Sequence, residues 1–172
     1  MYVLIVCGGN TCRSPMAEAI LQRLADDRGL EWTIGSAGVR AETATAPQAV
    51  RALRRRGLEP TSRPVQLTEQ LVRDASVVFC MTGSQRSLVA AAMPGSAAKI
   101  HTWAAFIAQR AGAGAGDQPP GLTIPDSGAD AARYDVADPI GQSDEIYEQT
   151  AATIEYLAAM TVEVLTHAGP TP

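Results

Sequence analysis

Cysteine is scarce in this chain: three residues in 172, two of them, Cys7 and Cys12, within a single short stretch, which excludes a disulfide framework. Histidine is scarcer still. His101 and His167 lie far apart without the spacing of metal ligands, so no metal site and no cofactor are expected. No charged leader precedes a long apolar segment, and the N-terminal run Val3-Leu4-Ile5-Val6 is only a strand's length. Neither export nor membrane insertion is indicated, and a cytoplasmic location is expected. A basic surface is missing too. The net charge is −4, and the basic residues are scattered except at Arg54-Arg55-Arg56. That run falls near the end of a predicted helix, just before Gly57, where it is expected to complement the helix dipole and face solvent. Nucleic acid and membranes are therefore not expected partners.

With 46% hydrophobic residues, the chain can bury one ordinary core, so one domain spanning 1–172 is expected. Residues 2–6 read as a strand covered on both faces. A helix follows, with Met16, Ile20 and Leu24 on one stripe and Ala17 and Leu21 beside it, stopping near Gly29. Residues 32–36 read as the second strand. A helix after Pro47 should turn Val50 and Leu53 inward, and Thr68 should cap a short helical turn. Residues 75–80, including Cys80, form a third strand in which Cys80 is a core thiol. Residues 83–93 suit a helix, 99–102 a short fourth strand and 103–108 the start of another helix. Ser143 caps a last helix with Ile146, Thr150, Ile154, Leu157, Thr161 and Val164 inward, ended by Gly169 and Pro170. Strands alternating with helices predict a doubly wound α/β sandwich. Residues 111–134, rich in glycine and proline, carry neither period.

The stretch Cys7-Gly8-Gly9-Asn10-Thr11-Cys12-Arg13-Ser14-Pro15 joins the first strand to the first helix. Gly8, Gly9 and Asn10 can take positive φ, letting successive N–H groups curl around an anion at a helix N-terminus. A cysteine and an arginine six residues apart are a weak motif alone. Set between strand and helix, around Gly-Gly-Asn and ahead of Ser-Pro, they describe a phosphate cradle with a nucleophile in its floor. Cys7 would sit as a thiolate under the anion while Arg13 grips two of its oxygens. Gly8, Gly9, Asn10, Thr11, Cys12 and Ser14 complete the substrate-binding loop. Two thiols on one loop also suggest that oxidised Cys7 could be captured by Cys12 as a disulfide.

The loop, followed by Met16-Ala17-Glu18, resembles the low-molecular-weight protein tyrosine phosphatase family, and within it the bacterial protein arginine phosphatase branch. The resemblance continues in order at Ser36-Ala37-Gly38, Met81-Thr82, Asp138-Pro139 and Ser143-Asp144-Glu145-Ile146-Tyr147. It implies a flavodoxin-like four-stranded parallel sheet in the order 2-1-3-4, with helices on both faces and 111–134 as a flexible insertion before the acid loop. A tolerated surface loop is the simpler reading of that insertion, a flap over the site the sharper one. The resemblance also implies roles. Ser14 donates to the Cys7 sulfur, Asn10 and Ser36 brace the loop, and Asp138 serves as the acid. Asp135 is the nearest competitor for that last role and lacks the match.

The implied activity is hydrolysis of phosphorylated proteins by a monomer. Cys7 attacks phosphorus in line to give a cysteinyl phosphate, and the loop amides and Arg13 hold the equatorial oxygens. Tyrosine phosphatases of this family usually follow Asp-Pro with aromatic residues, where this chain has Ile140-Gly141. The arginine branch is matched at Thr11 and in the downstream Gly-x-Ser, and departed from at Arg40 and Ile140. A polar floor without an aromatic wall suits phosphoarginine better than phosphotyrosine, with tyrosine phosphatase activity as the alternative. For phosphoarginine, Asp138 could pair with the guanidinium as a carboxylate as well as act as an acid. An arsenate reductase would need further resolving cysteines, and Cys80 on a buried strand is a poor relay. A thiol phosphocarrier would not need Arg13 and Asp138 to speed hydrolysis.

Overall fold

The computed structural model describes residues 1–111 and 134–167. Strand β1 (Tyr2–Cys7) leads into helix α1 (Arg13–Asp27), followed by β2 (Thr33–Gly38), α2 (Pro47–Arg54), α3 (Glu69–Asp74) and β3 (Val77–Cys80). Then come α4 (Gly83–Ala92), a 3-10 turn over Pro94–Lys99, β4 (Ile100–Thr102), α5 (Trp103–Ala111) and α6 (Asp144–His167). The sheet is parallel throughout, with strand order β2-β1-β3-β4. Most of the residues read as an insertion, and the residues expected to end the last helix, lie outside the described ones.

Helices cover both faces because β1 is apolar on both. Val3 and Ile5 point into a core with Met16, Leu21, Phe79, Trp103, Ile154 and Leu157, while Leu4 and Val6 meet Val72, Val78, Val89 and Ile100 opposite. Trp103 stacks on Phe79 at 5.7 Å between ring centroids, and its indole N–H donates to Thr161 Oγ1 at 2.7 Å, so the ring is buried without an orphaned donor. Thr68 caps α3 as expected, accepting from the Leu71 amide.

Several expectations need correcting. In α2 the buried face is Ala49, Ala52 and Leu53, and Val50 is only half-buried. At the start of α6 the buried residue is Tyr147, one position beyond Ile146, and near its end Val162 takes the place expected of Val164. The second strand begins after Trp32, and the third after Ala75 and Ser76, whose backbone serves other partners: Ala75 O accepts from Lys99 Nζ, and Ser76 N–H donates to Tyr2 O. The arginine run does more than face solvent. Arg55 pairs with Asp144 and Glu148, and Arg56, half-buried, pairs with Glu148 and Glu155, tying α2 to α6. Each exposed pair of this kind contributes only about 0–1 kcal/mol, so the lock matters as a network.

Candidate active site

The loop between β1 and α1 is shaped by where its carbonyls go. The carbonyls of Cys7, Gly8, Gly9 and Thr11 accept from the amides of Val39, Arg40, Glu42 and Ala46 at 2.9–3.0 Å, which turns them outward toward residues 39–46. The N–H groups of Gly8, Gly9, Thr11 and Cys12 have no acceptor among the described residues, as a cradle awaiting an anion requires. The twist comes from one residue. Asn10 has φ +56°, whereas Gly8 and Gly9, expected to share that role, keep ordinary backbone angles. The close approach of the two loops depends on Gly38, where a Cβ would fall 2.9 Å from Gly9 C and 3.0 Å from Asn10 N.

Helix α1 starts at Arg13, with Cys12 in the capping position and no cap hydrogen bond from its side chain. Nor is there an acidic residue in the first turn. The positive end of α1 is thus left for a ligand. Ser14, in the first turn of the helix, turns its hydroxyl toward Asn10 and Cys7.

Its role follows from counting protons. Asn10 is fully buried, and its Oδ1 accepts from Val65 N–H at 2.7 Å, which fixes the amide orientation. Both Nδ2 hydrogens are then donated, to Ser14 Oγ and Ser36 Oγ, each at 2.8 Å. Ser36 gives its own proton to Glu18 Oε2 at 2.5 Å, and Ser14 Oγ, held by the Asn10 amide, lies 2.9 Å from Cys7 Sγ with a hydroxyl proton available to it. The backbone N–H of Asn10 donates to the same sulfur at 3.3 Å. The Ser14 hydroxyl and the Asn10 N–H therefore both stand within hydrogen-bonding distance of the Cys7 sulfur. Glu18 anchors the far end. It is buried, and it also accepts from the Thr61 and Ser62 hydroxyls.

Arg13 is 4% exposed. Its Nη1 donates to Val136 O at 2.9 Å, its Nη2 is paired with Asp138 Oδ2, and its Nε is buried with no partner among the described residues. A cation in the cavity wall whose Nε–H is uncommitted is suited to a phosphoryl oxygen. Asp138 stands on the loop before α6 with its side chain 45% exposed. Its Oδ1 accepts from the Ile140 amide at 3.2 Å. Asp135 is used differently, accepting from Gly83 N–H at 2.7 Å at the start of α4.

Cys7, Thr11, Cys12, Arg13 and Asp138 line one cavity of about 400 Å³, whose outer wall is Val39, Arg40, Glu42, Ser84, Gln85, Leu88 and Ile140. Among the described residues, no aromatic side chain lines it. Cys12 is buried, its sulfur within hydrogen-bonding distance of Thr11 Oγ1 (3.4 Å) and the Tyr147 hydroxyl (3.2 Å), and burial raises its pKa. Burial likewise drives Tyr147 upward and pushes Cys80, deep in β3, up to about 12, so Cys80 is an inert core thiol. All three cysteines are free.

The candidate site residues read from the sequence thus converge on one end of the sheet. Glu18, Val65, Tyr147 and Glu42 were not singled out as site residues. Glu18 carried one available signal, a carboxylate on a helix turn otherwise made of Met16, Ala17, Ala19 and Ile20. The other three are brought in from distant or irregular segments.

The chain belongs to the low molecular weight phosphotyrosine protein phosphatase family, whose model matches residues 2–119. It is accordingly a phosphatase that acts on phosphorylated substrates. A protein-arginine-phosphatase of Bacillus subtilis (strain 168) is 32% identical over 159 residues, 91% of each chain. An arginine phosphatase structure carrying a phosphorylated active-site serine superposes with a TM-score of 0.81 at 30% identity, covering 98% of this chain and 97% of that one. A low molecular weight protein tyrosine phosphatase from T. tengcongensis gives a TM-score of 0.77 at 31% identity, covering 95% and 98%.

Proposed function

We propose that the chain removes the phosphoryl group from phosphoarginine in proteins, through a cysteinyl phosphate on Cys7. The observation that carries this reading is the cavity wall. Its apolar members, Val39, Leu88 and Ile140, are aliphatic, and it places carboxylates, not rings, beside the cradle. A phenol ring gains from stacked aromatic neighbours, whereas a planar cation gains from carboxylates and polar walls. The arginine phosphatases among its relatives support the same choice.

In the first step the Cys7 sulfur attacks phosphorus, and the Sγ–P bond forms as the P–N bond breaks. The electron pair passes to the guanidino nitrogen, which takes a proton from Asp138. Arg13 exchanges Asp138 for phosphoryl oxygens, joined by the inward amides of the loop and the uncapped end of α1. In the second step water attacks phosphorus and gives its proton to Asp138. The sulfur leaves as a thiolate held by Ser14 O–H and Asn10 N–H. Thr11, whose hydroxyl among the described residues meets only the neighbouring Cys12 sulfur, keeps the inner wall polar.

The test is kcat/KM on phosphoarginine and phosphotyrosine peptides of matched sequence, for the parent and Thr11→Ile. The parent should prefer phosphoarginine. Thr11→Ile should shift the ratio toward phosphotyrosine by roughly 10–200-fold, the range set by apolar fit in a pocket. A parent that prefers phosphotyrosine overturns the reading, and a parallel fall in both activities removes Thr11 from it.

A further inference from the structure

We infer that Glu42 is a specificity-determining residue, the carboxylate that receives the guanidinium attached to the scissile phosphoryl group. The inference rests on the phosphoarginine reading and adds a residue that neither the loop motif nor the resemblance singled out.

Glu42 is fixed to the cradle by its backbone, with its N–H donating to Gly9 O at 2.9 Å. Its side chain lies against the loop: a Cβ built on Gly9 would stand 3.2 Å from Glu42 Cγ and 3.5 Å from Thr11 Oγ1. The Glu42 side chain thus belongs to the same wall as Thr11, in the cavity that Asp138 also lines. Asp138, paired with Arg13 in this structure, is released when Arg13 takes phosphoryl oxygens and is then assigned to the scissile nitrogen. The Glu42 carboxylate, by contrast, has no hydrogen bond or ion pair among the described residues, and Arg40, two residues away on the same wall, has not taken it.

A free carboxylate beside a cradle for a dianion is unfavourable to any substrate that brings only negative charge. It becomes favourable when the group joined to phosphorus is itself cationic, because carboxylate and guanidinium match as two parallel hydrogen bonds. The division of labour follows. Arg13 and the loop amides take the phosphoryl oxygens, Asp138 serves the scissile nitrogen, and Glu42 takes N–H groups on the far side of the guanidinium. A phenol ester offers nothing to the last of these, so Glu42 works against it.

The experiment compares the parent, Glu42→Gln and Glu42→Asp on matched phosphoarginine and phosphotyrosine peptides, separating KM from kcat. For phosphoarginine, Glu42→Gln should raise KM by about tenfold with a small change in kcat, as expected when a charge-assisted pair to the bound ground state is lost. Glu42→Asp should recover part of that loss. For phosphotyrosine, Glu42→Gln should raise kcat/KM, because a carboxylate that repels the incoming dianion is removed; this gain also reports that the variant is folded. If the parent prefers phosphoarginine and Glu42→Gln leaves that preference within twofold, this inference fails and the function stands. A parallel loss on both substrates would make Glu42 merely structural and also overturn it. A parent that prefers phosphotyrosine overturns both.

Discussion

Replacing Asn10 by alanine tests the proton count that aims Ser14 at Cys7. The side chain is fully buried and makes three hydrogen bonds, to Val65 N, Ser14 Oγ and Ser36 Oγ. Removing it leaves a backbone donor and two hydroxyls short of a partner, each at a cost of about 1–3 kcal/mol, toward the low end where water can enter. Alanine must also adopt φ +56°, which adds about 1–2 kcal/mol for a residue with a Cβ and no side chain to bond locally. With each group at its low end the sum is about 4–5 kcal/mol, a large share of the 5–15 kcal/mol typical of a domain. Urea denaturation measures it. Asn10→Gly separates the terms, since glycine relieves the backbone and not the hydrogen bonds, and it should recover only about 1 kcal/mol. Alkylation of Cys7 by iodoacetamide should slow in both variants, because the Ser14 hydroxyl loses the bond that holds it beside the sulfur. A loss below 1 kcal/mol with unchanged alkylation, or full recovery by glycine, would refute the network argument.

Asp138→Ala should lower kcat by about 10²–10⁴-fold, with less effect on substrates whose leaving groups need no proton, as steady-state kinetics would show. Asp135→Ala should instead cost about 1 kcal/mol in thermal stability through the lost bond to the start of α4; a larger activity loss there than in Asp138→Ala would reverse the assignment. Peroxide should convert Cys7 to a sulfenic acid, which the Cys12 thiol condenses with to give a disulfide and water. In Cys12→Ser, inactivation should no longer be reversed by added thiol, and full recovery would remove the switch. Stability should also depend on acid through the α2–α6 lock. Asp144 is held below the usual carboxylate range by its bond to Arg51, and Glu148, despite burial, by Arg56 and Arg55. Both are lowered in the folded state, so their contribution is present at neutral pH and is lost as pH falls through those lowered values. Chemical denaturation across pH 7 to 3 should show this loss, and it should shrink in Arg51→Gln.

How much was legible follows from how locally each feature is encoded. The cradle was, because Cys7, Asn10, Arg13 and Ser14 lie within eight positions and one strand-to-helix turn. The alternation of elements predicted the layered architecture, and the family resemblance supplied the strand order that the sheet has. What escaped depends on chain crossings. Val65 reaches Asn10 from 55 residues away, and Tyr147 reaches Cys12 from 135. No local pattern marks such pairs. The arginine run looked solvated for the same reason, since its acidic partners on α6 lie about ninety residues on. The positive φ was assigned to three residues when one sufficed, because the outward carbonyls already bend the rest of the loop.

The central claim is that Cys7 carries the phosphoryl group. Enzyme mixed rapidly with excess phosphoarginine peptide, quenched and digested, should show by mass spectrometry one phosphoryl group on the peptide containing Cys7, and Cys7→Ser should release no phosphate over repeated turnovers while still binding it. Phosphate release by Cys7→Ser near the parent rate, with no phosphoryl group on the parent's Cys7 peptide, would contradict the account.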